Sequence, residues 1–195
     1  MKKLDFTKQN IKDAILKAKN LKQEAGERHK AESICGGKAD LAAYFAEEVI
    51  ANELGANNIS TNYGSQKFNF DMFFKGFKFD VKLKRRLFDP IDTNKLIYDA
   101  SIAETSLHQK TDGYIFMSIT FGRSNGKKGK DAVYYDPKSV WFCGFMGKKN
   151  YFKNAKYWKV GDIDPSNGWE VRSSCYNVPY KNLLSFDKLL NIPQK

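Results

Sequence analysis

Hydrophobic and polar positions along the chain change their period once, near residue 58. Before that point the spacing is helical. From Thr7 to about Gly26, Ile11, Ala14, Ile15, Ala18 and Leu21 fall on one face, lysines fill the opposite face, and Thr7 is placed to cap the first turn. The polar stretch from Gly26 to Gly37 closes on Gly36-Gly37 and reads as a joint. A second helix is predicted over Asp40–Leu54, with Asp40 as N-cap and Gly55 as its stop. Leu41, Ala42, Phe45, Ala46, Val49 and Ile50 form its buried stripe, and Glu47 projects near the edge of that stripe.

Beyond it the pattern alternates. Strands are predicted over Ile59–Tyr63, Phe68–Phe74, Phe77–Lys84, Tyr98–Ile102, Tyr114–Thr120, Ala132–Tyr135 and Val140–Phe145. Phe121–Lys130 between them is a Gly-rich basic loop. Asn150–Lys156 fits one or two helical turns, Arg172–Val178 a late strand, and Leu183–Leu190 a closing helix. Helix first, then a hairpin-rich sheet with further helices, predicts an α/β protein with a mixed central β-sheet flanked by helices. The expected division is an N-terminal helical extension over residues 1–36 and one main domain over 37–195.

Composition narrows the class. At 195 residues the chain can bury a core without disulfides or a structural metal. Its three cysteines, Cys35, Cys143 and Cys175, are far apart and form no CxxC pair, which argues against a disulfide scaffold and a zinc–thiolate site and fits a reducing compartment. No secretory h-region follows Met1-Lys2-Lys3 and no apolar run reaches membrane-spanning length, so a cytoplasmic protein is expected, with no membrane partner. The formal charge of +11 points to a polyanion, most often nucleic acid.

The segment Phe68 to Lys84 carries the chemistry. Two alternating runs flank Lys75-Gly76, a two-residue hairpin turn. That register sets Phe74 against Phe77, Met72 against Phe79, Phe70 against Val81 and Phe68 against Leu83, one wholly apolar face. The other face sets Phe73 against Lys78, Asp71 against Asp80 and Asn69 against Lys82. Two aspartates directly opposite one another repel, unless a divalent cation makes them a ligand pair. Lys82 lies on the same face, within reach of a bound phosphate.

In these residues the chain resembles the PD-(D/E)xK, or restriction-endonuclease-like, nucleases. Asp71 matches the acidic residue of the first strand, Asp80-Val81-Lys82 matches the acid-x-Lys triplet of the second, and the helix Ala46 to Leu54 matches the one that supplies a glutamate, with Glu47 the better fit and Glu48 the reserve. The resemblance covers about Asp40 to Ile119. It implies a nuclease domain over 37–195 that hydrolyses phosphodiester bonds with Mg²⁺, or Mn²⁺ in its place. The metal ligands would be Asp71, Asp80, the Val81 carbonyl and Glu47, and Lys82 would orient water or stabilise transition-state charge. DNA is the expected substrate, in a bacterial or phage-infected cell, although no residue separates DNA from RNA. Cleavage of both strands of a duplex would favour a homodimer. The rival from another class is a non-catalytic nucleic-acid-binding protein on the same fold.

Other motifs are weaker. Lys84-Arg85-Arg86 extends the charge beyond the triplet and is expected to contact phosphate, as are Arg123, Lys127 and Lys128 in the basic loop. That loop is no Walker A: Gly122 to Gly126 is one residue short, and Lys128 replaces the Ser or Thr. The second acid-x-Lys triplet, Asp136-Pro137-Lys138, contains proline, has no acidic strand before it and reads as a turn. Gln109 loosely matches a polar position that some of these nucleases bring to the site. The two histidines, His29 and His108, share no metal or nuclease motif. Trp141, Phe142, Phe145, Tyr151, Phe152, Tyr157 and Trp158, interleaved with lysines, are expected mainly to pack.

Overall fold

A computed structural model describes residues 1–17, 40–58, 69–86, 88–90, 99–121, 137–165 and 168–195. The centre is a six-stranded mixed sheet built from β1 (Lys2–Leu4), β2 (Asn57–Asn58), β3 (Met72–Phe74), β4 (Phe77–Arg86), β6 (Gly113–Phe121) and β7 (Pro137–Gly147), in the order β1-β7-β6-β4-β3-β2. The β4–β6 pair is parallel and its neighbours are antiparallel. A second, three-stranded antiparallel sheet has the order β5-β11-β8, from β5 (Asp99–Ala103), β8 (Lys156–Trp158) and β11 (Cys175–Pro179). A small hairpin, β9 (Ile163–Asp164) with β10 (Trp169–Glu170), stands beside it.

Strand β6 shows why the layers form. All nine of its residues are buried, because both of its faces are covered. Ile115, Met117, Ile119 and Phe121 point into one core with Phe45, Val49 and Ile50 of α2 (Asp40–Leu54). Tyr114 and Phe116 point into the other, with Ile102, Tyr151, Val178 and Tyr180. Each such side chain contributes about 1.5–3 kcal/mol on burial, so this strand anchors both layers. The helical layer also holds α1, helical over residues 8–17, and α4 (Phe186–Leu190), which begins at Ser185 with its hydroxyl accepting from the Lys188 amide. The opposite face is covered by the second sheet and α3 (Lys148–Asn154). The expected mixed α/β sheet is present, with helices on one side and strands together with α3 on the other.

Most elements lie where the periodicity placed them. Helix α2 matches its predicted bounds and ends at Gly55 with φ +59. Lys75 and Gly76 both have positive φ, 48 and 84, as the tight hairpin requires. Strands β1, β8, β9 and β10 were not foreseen. β1 is only three residues, two of them lysine, and is held by pairing with β7 and by Leu4 in the core. β8 and the β9–β10 hairpin are equally short. Pro137-Lys138 opens β7 instead of making a turn. The predicted strands at 59–63 and 132–135, the loop after Phe121, the joint at 26–37 and the end of the first helix lie outside the described residues. Trp141, Phe142, Phe145, Tyr151 and Trp158 are buried and pack, whereas Tyr157 is exposed. Among the described residues, no helix is long and apolar enough to cross a membrane.

The β6–β7 register shifts between Phe116 and Met117, and Gly144 beside the shift has φ +151. A Cβ there would run into the Leu183 side chain, so Gly144→Ala meets both an unfavourable backbone and an occupied space. The expected loss is about 2–3 kcal/mol, read as a lower urea midpoint at unchanged slope.

Candidate active site

The hairpin register is as predicted through Phe74–Phe77, Phe73–Lys78 and Met72–Phe79, and there the ladder stops. The expected pairings of Asp71 with Asp80, Phe70 with Val81 and Asn69 with Lys82 are not part of it. Instead the chain turns at Asp71. Its amide donates to the Phe79 carbonyl at 2.9 Å, and its Oδ2 accepts from the Val81 amide at 2.7 Å. The aspartate thus occupies the strand edge that β3 has vacated. A strand residue's N–H and C=O leave on the same edge, so the Val81 carbonyl faces that edge too. The apolar half of the prediction fits: Phe70, Met72, Phe74, Phe79 and Val81 are all buried.

Two further carboxylates act on Asp71 at this edge. Asp80, 2% exposed, projects from β4 on the side of the second sheet. Glu47, 4% exposed, comes from α2 on the other side, and Asp71 lies between them. Burial, together with the charges of Glu47 and then Asp80, raises the Asp71 carboxyl well above the usual carboxylate range, against the Val81 hydrogen bond that lowers it. Part of Asp71 still meets solvent.

Two lysines answer the carboxylates. Lys82 Nζ stands 2.7 Å from Asp80 Oδ2, an ion pair that lacks the angles of a hydrogen bond, since that buried oxygen makes none. The same ammonium donates to Gln109 Oε1 at 3.0 Å and to Ser106 Oγ at 3.4 Å. Gln109 in turn donates from Nε2 to Asp80 Oδ1 at 3.0 Å and so bridges Asp80 and Lys82. On the helix side, Lys17 of α1, 2% exposed, holds Glu47 Oε2 at 2.5 Å and stands 3.8 Å from Glu48 Oε1. Burial, offset by Lys17, raises Glu48 as well.

The topology explains Gln109. β6 begins alongside Phe79 and Asp80, with Phe79 paired to Gly113 and Asp80 to Tyr114. A parallel crossover from the far end of β4 must return to that point, and the 3-10 turn Glu104–Ser106 brings the returning chain across the face of Asp80. Gln109 was only a loose match in the sequence, and Ser106 and Lys17 carried no signal there. Periodicity alone put the lysines of the first helix on the solvent side.

The other expected residues divide. Lys84 and Arg86 share the face of Asp80 and Lys82, while Arg85 is exposed on the opposite side of the alternation. Arg123, Lys127, Lys128 and His29 lie outside the described residues. His108 Nδ1 is 2.8 Å from the Thr105 carbonyl, a local turn contact. Cys143 and Cys175 are free thiols, and Cys143 is buried.

Asp71, Asp80, the Val81 carbonyl and Glu47 would make an all-oxygen donor set, and the repulsion at Asp71 fits a hard divalent cation. Among the described residues, no three acidic, histidine or cysteine side chains are already gathered to hold one ion; Glu47 is turned to Lys17. No family model, curated protein or solved structure matches the chain.

Two outcomes follow. Lys17→Met removes the ammonium 2.5 Å from the buried Glu47 carboxylate and should cost about 3–5 kcal/mol, as for other broken buried pairs; Lys17→Met with Glu47→Gln should recover much of it in the same urea titration. For Asp71 the raised folded-state value means the ionised carboxylate opposes folding at neutral pH, and the penalty fades as pH falls through that value toward 3.8. Asp71→Asn should therefore melt higher than wild type at pH 7 in EDTA, with the gain lost below about pH 4.

Proposed function

We propose that the protein is a divalent-metal-dependent nuclease of the PD-(D/E)xK type that hydrolyses phosphodiester bonds, with DNA as the expected substrate. The observation that carries this reading is the junction where β3 ends: Asp71 reaches the Val81 amide while Asp80, Lys82 and Gln109 form one bonded group on the adjoining strand. A sheet selected for stability alone has no use for carboxylates that repel at its edge.

Mg²⁺ or Mn²⁺ held by Asp71, Asp80 and the Val81 carbonyl, with Glu47, would supply Lewis acidity at the phosphate and lower the pKa of water there. The chain's own groups do the rest. Lys82, oriented by Gln109 and Ser106, places a fixed ammonium where negative charge builds on the phosphorus oxygens. Asp80 holds that ammonium in place and Gln109 fixes the rotamers of both, so neither has to reorganise during the reaction. Lys17 neutralises Glu47 while the cation is absent.

A non-catalytic nucleic-acid-binding protein is the second reading, and one observation favours it: Lys17 and Lys82 already balance part of the acidic charge. Metal response separates the two. In the nuclease, Mn²⁺ relieves repulsion in the folded state only and should raise the melting temperature of wild type but not of Asp71→Asn. Asp80→Asn and Lys82→Ala should each lower Mg²⁺-dependent cleavage of linear, circular, single-stranded or branched DNA by about 10²-fold or more while remaining folded. Full activity in purified Asp80→Asn would refute the assignment.

A further inference from the structure

Strand β4 continues past the candidate site with Lys84 and Arg86 on the face already held by Asp80 and Lys82. Alternate residues of a strand stand about 6.6 Å apart, so Lys82, Lys84 and Arg86 make a row of cations stepping away from the site. That row is not a solvated surface. It looks across at the second sheet, and a cavity of about 970 Å³ separates the two. Lys82 and Ser106 line one end, so the cavity opens onto the catalytic group itself. Four cationic side chains, Lys82, Lys84, Arg86 and Arg172, line it against two acidic ones, Asp99 and Asp164.

The lining is built for more than charge. Lys84 Nζ donates to the Asp99 carbonyl at 2.6 Å, and burial, with the Arg86 guanidinium adding to it, lowers its pKa to about 8. Cations crowded together out of water favour the arrival of an anion. Asn177 on β11 lines the same cavity, with Phe116 and Tyr180 adding apolar ring surface to the wall. Cations for phosphate and rings for a base are elements of single-strand recognition.

Size decides between a strand and a duplex. The volume is that of a chamber for one compact ligand, roughly 300–1,000 Å³ in general. Paired, stacked bases cannot enter such a chamber without first leaving the stack.

We propose that this cavity holds one or two unstacked nucleotides of a single strand next to the scissile phosphate, so that the substrate is single-stranded nucleic acid, or a single-stranded end, and not intact duplex. The proposal rests on the nuclease reading of the adjoining site, and binding without metal tests it separately. Fluorescence anisotropy of the full chain in EDTA would compare a labelled oligothymidylate with a blunt duplex of equal length. The single strand should bind at least about tenfold tighter, and thymidine dinucleotide should displace it. Ala103→Trp, which fills the cavity from β5, and Arg172→Ala, at its exposed rim, should each weaken single-strand binding by about tenfold or more and leave duplex binding nearly unchanged. Arg172→Ala keeps the test decisive if the tryptophan variant fails to fold. Equal or tighter binding of duplex, or single-strand binding that neither variant weakens, would overturn the cavity assignment. Mg²⁺-dependent cleavage of duplex circles with no single-strand preference would also overturn it while leaving the nuclease reading in place. Selective single-strand binding without cleavage of any DNA would do the reverse.

Discussion

Carboxylates placed in a protein interior have to be reconciled with the loss of water, and here that requirement organises the molecule from the N-terminus onward. Asp80 and Glu47 are almost wholly buried on opposite sides of one sheet, and Asp71 sits at the edge between them. Glu47 and Asp80 each have an answering group drawn from a distant part of the chain. Lys17 crosses 30 positions to reach Glu47, and Gln109 crosses 29 to reach Asp80. Removing any answering group leaves a charge in a low-dielectric setting, where the cost of an unpaired ion exceeds the worth of the pair. The N-terminal strand and helix are thereby bound into the same structure as the site, through Leu4 in the core and Lys17 at Glu47.

The layers follow from the same centre. A parallel β4–β6 pair needs a crossover, and this one leaves the sheet, contributes β5 to a second sheet, and returns beside Asp80. That route covers one face of β6 and accounts for its unbroken burial. It also leaves a gap, because the outer half of β4 carries Lys84 and Arg86 where an apolar strand would have closed against β5 and β11. Charged side chains at a sheet–sheet boundary prevent tight packing, and the cavity beside the site is the result.

Much of this was legible beforehand. Helix α2, the Lys75-Gly76 hairpin, the long central strands and the apolar face of the hairpin all come from short-range rules: helical or alternate spacing, a glycine where φ must be positive, and a stop where the stripe ends. The acid-x-Lys triplet drew its weight from that context. Asp71 and Glu47 follow from spacing and resemblance; in the fold Asp71 reaches the Val81 amide, while Glu47 pairs with Lys17.

Tertiary structure decided the rest, because the deciding interactions are long-range. Local pattern extends the hairpin ladder through Asp71; the fold ends it at Met72, so that the aspartate caps the Val81 amide instead of opposing Asp80. No spacing rule predicts that Lys17 is buried, that Gln109 bridges Asp80 and Lys82, or that three lysine-rich residues at the start of the chain make an edge strand. Those outcomes depend on which segments meet after the sheet has assembled. The sequence by itself determined the elements and the chemistry of the residues at β4, since both are written in neighbours a few positions apart. The partners, the charge balance and the cavity were settled only by packing, where burial makes each charge choose a counter-charge and each face choose a cover.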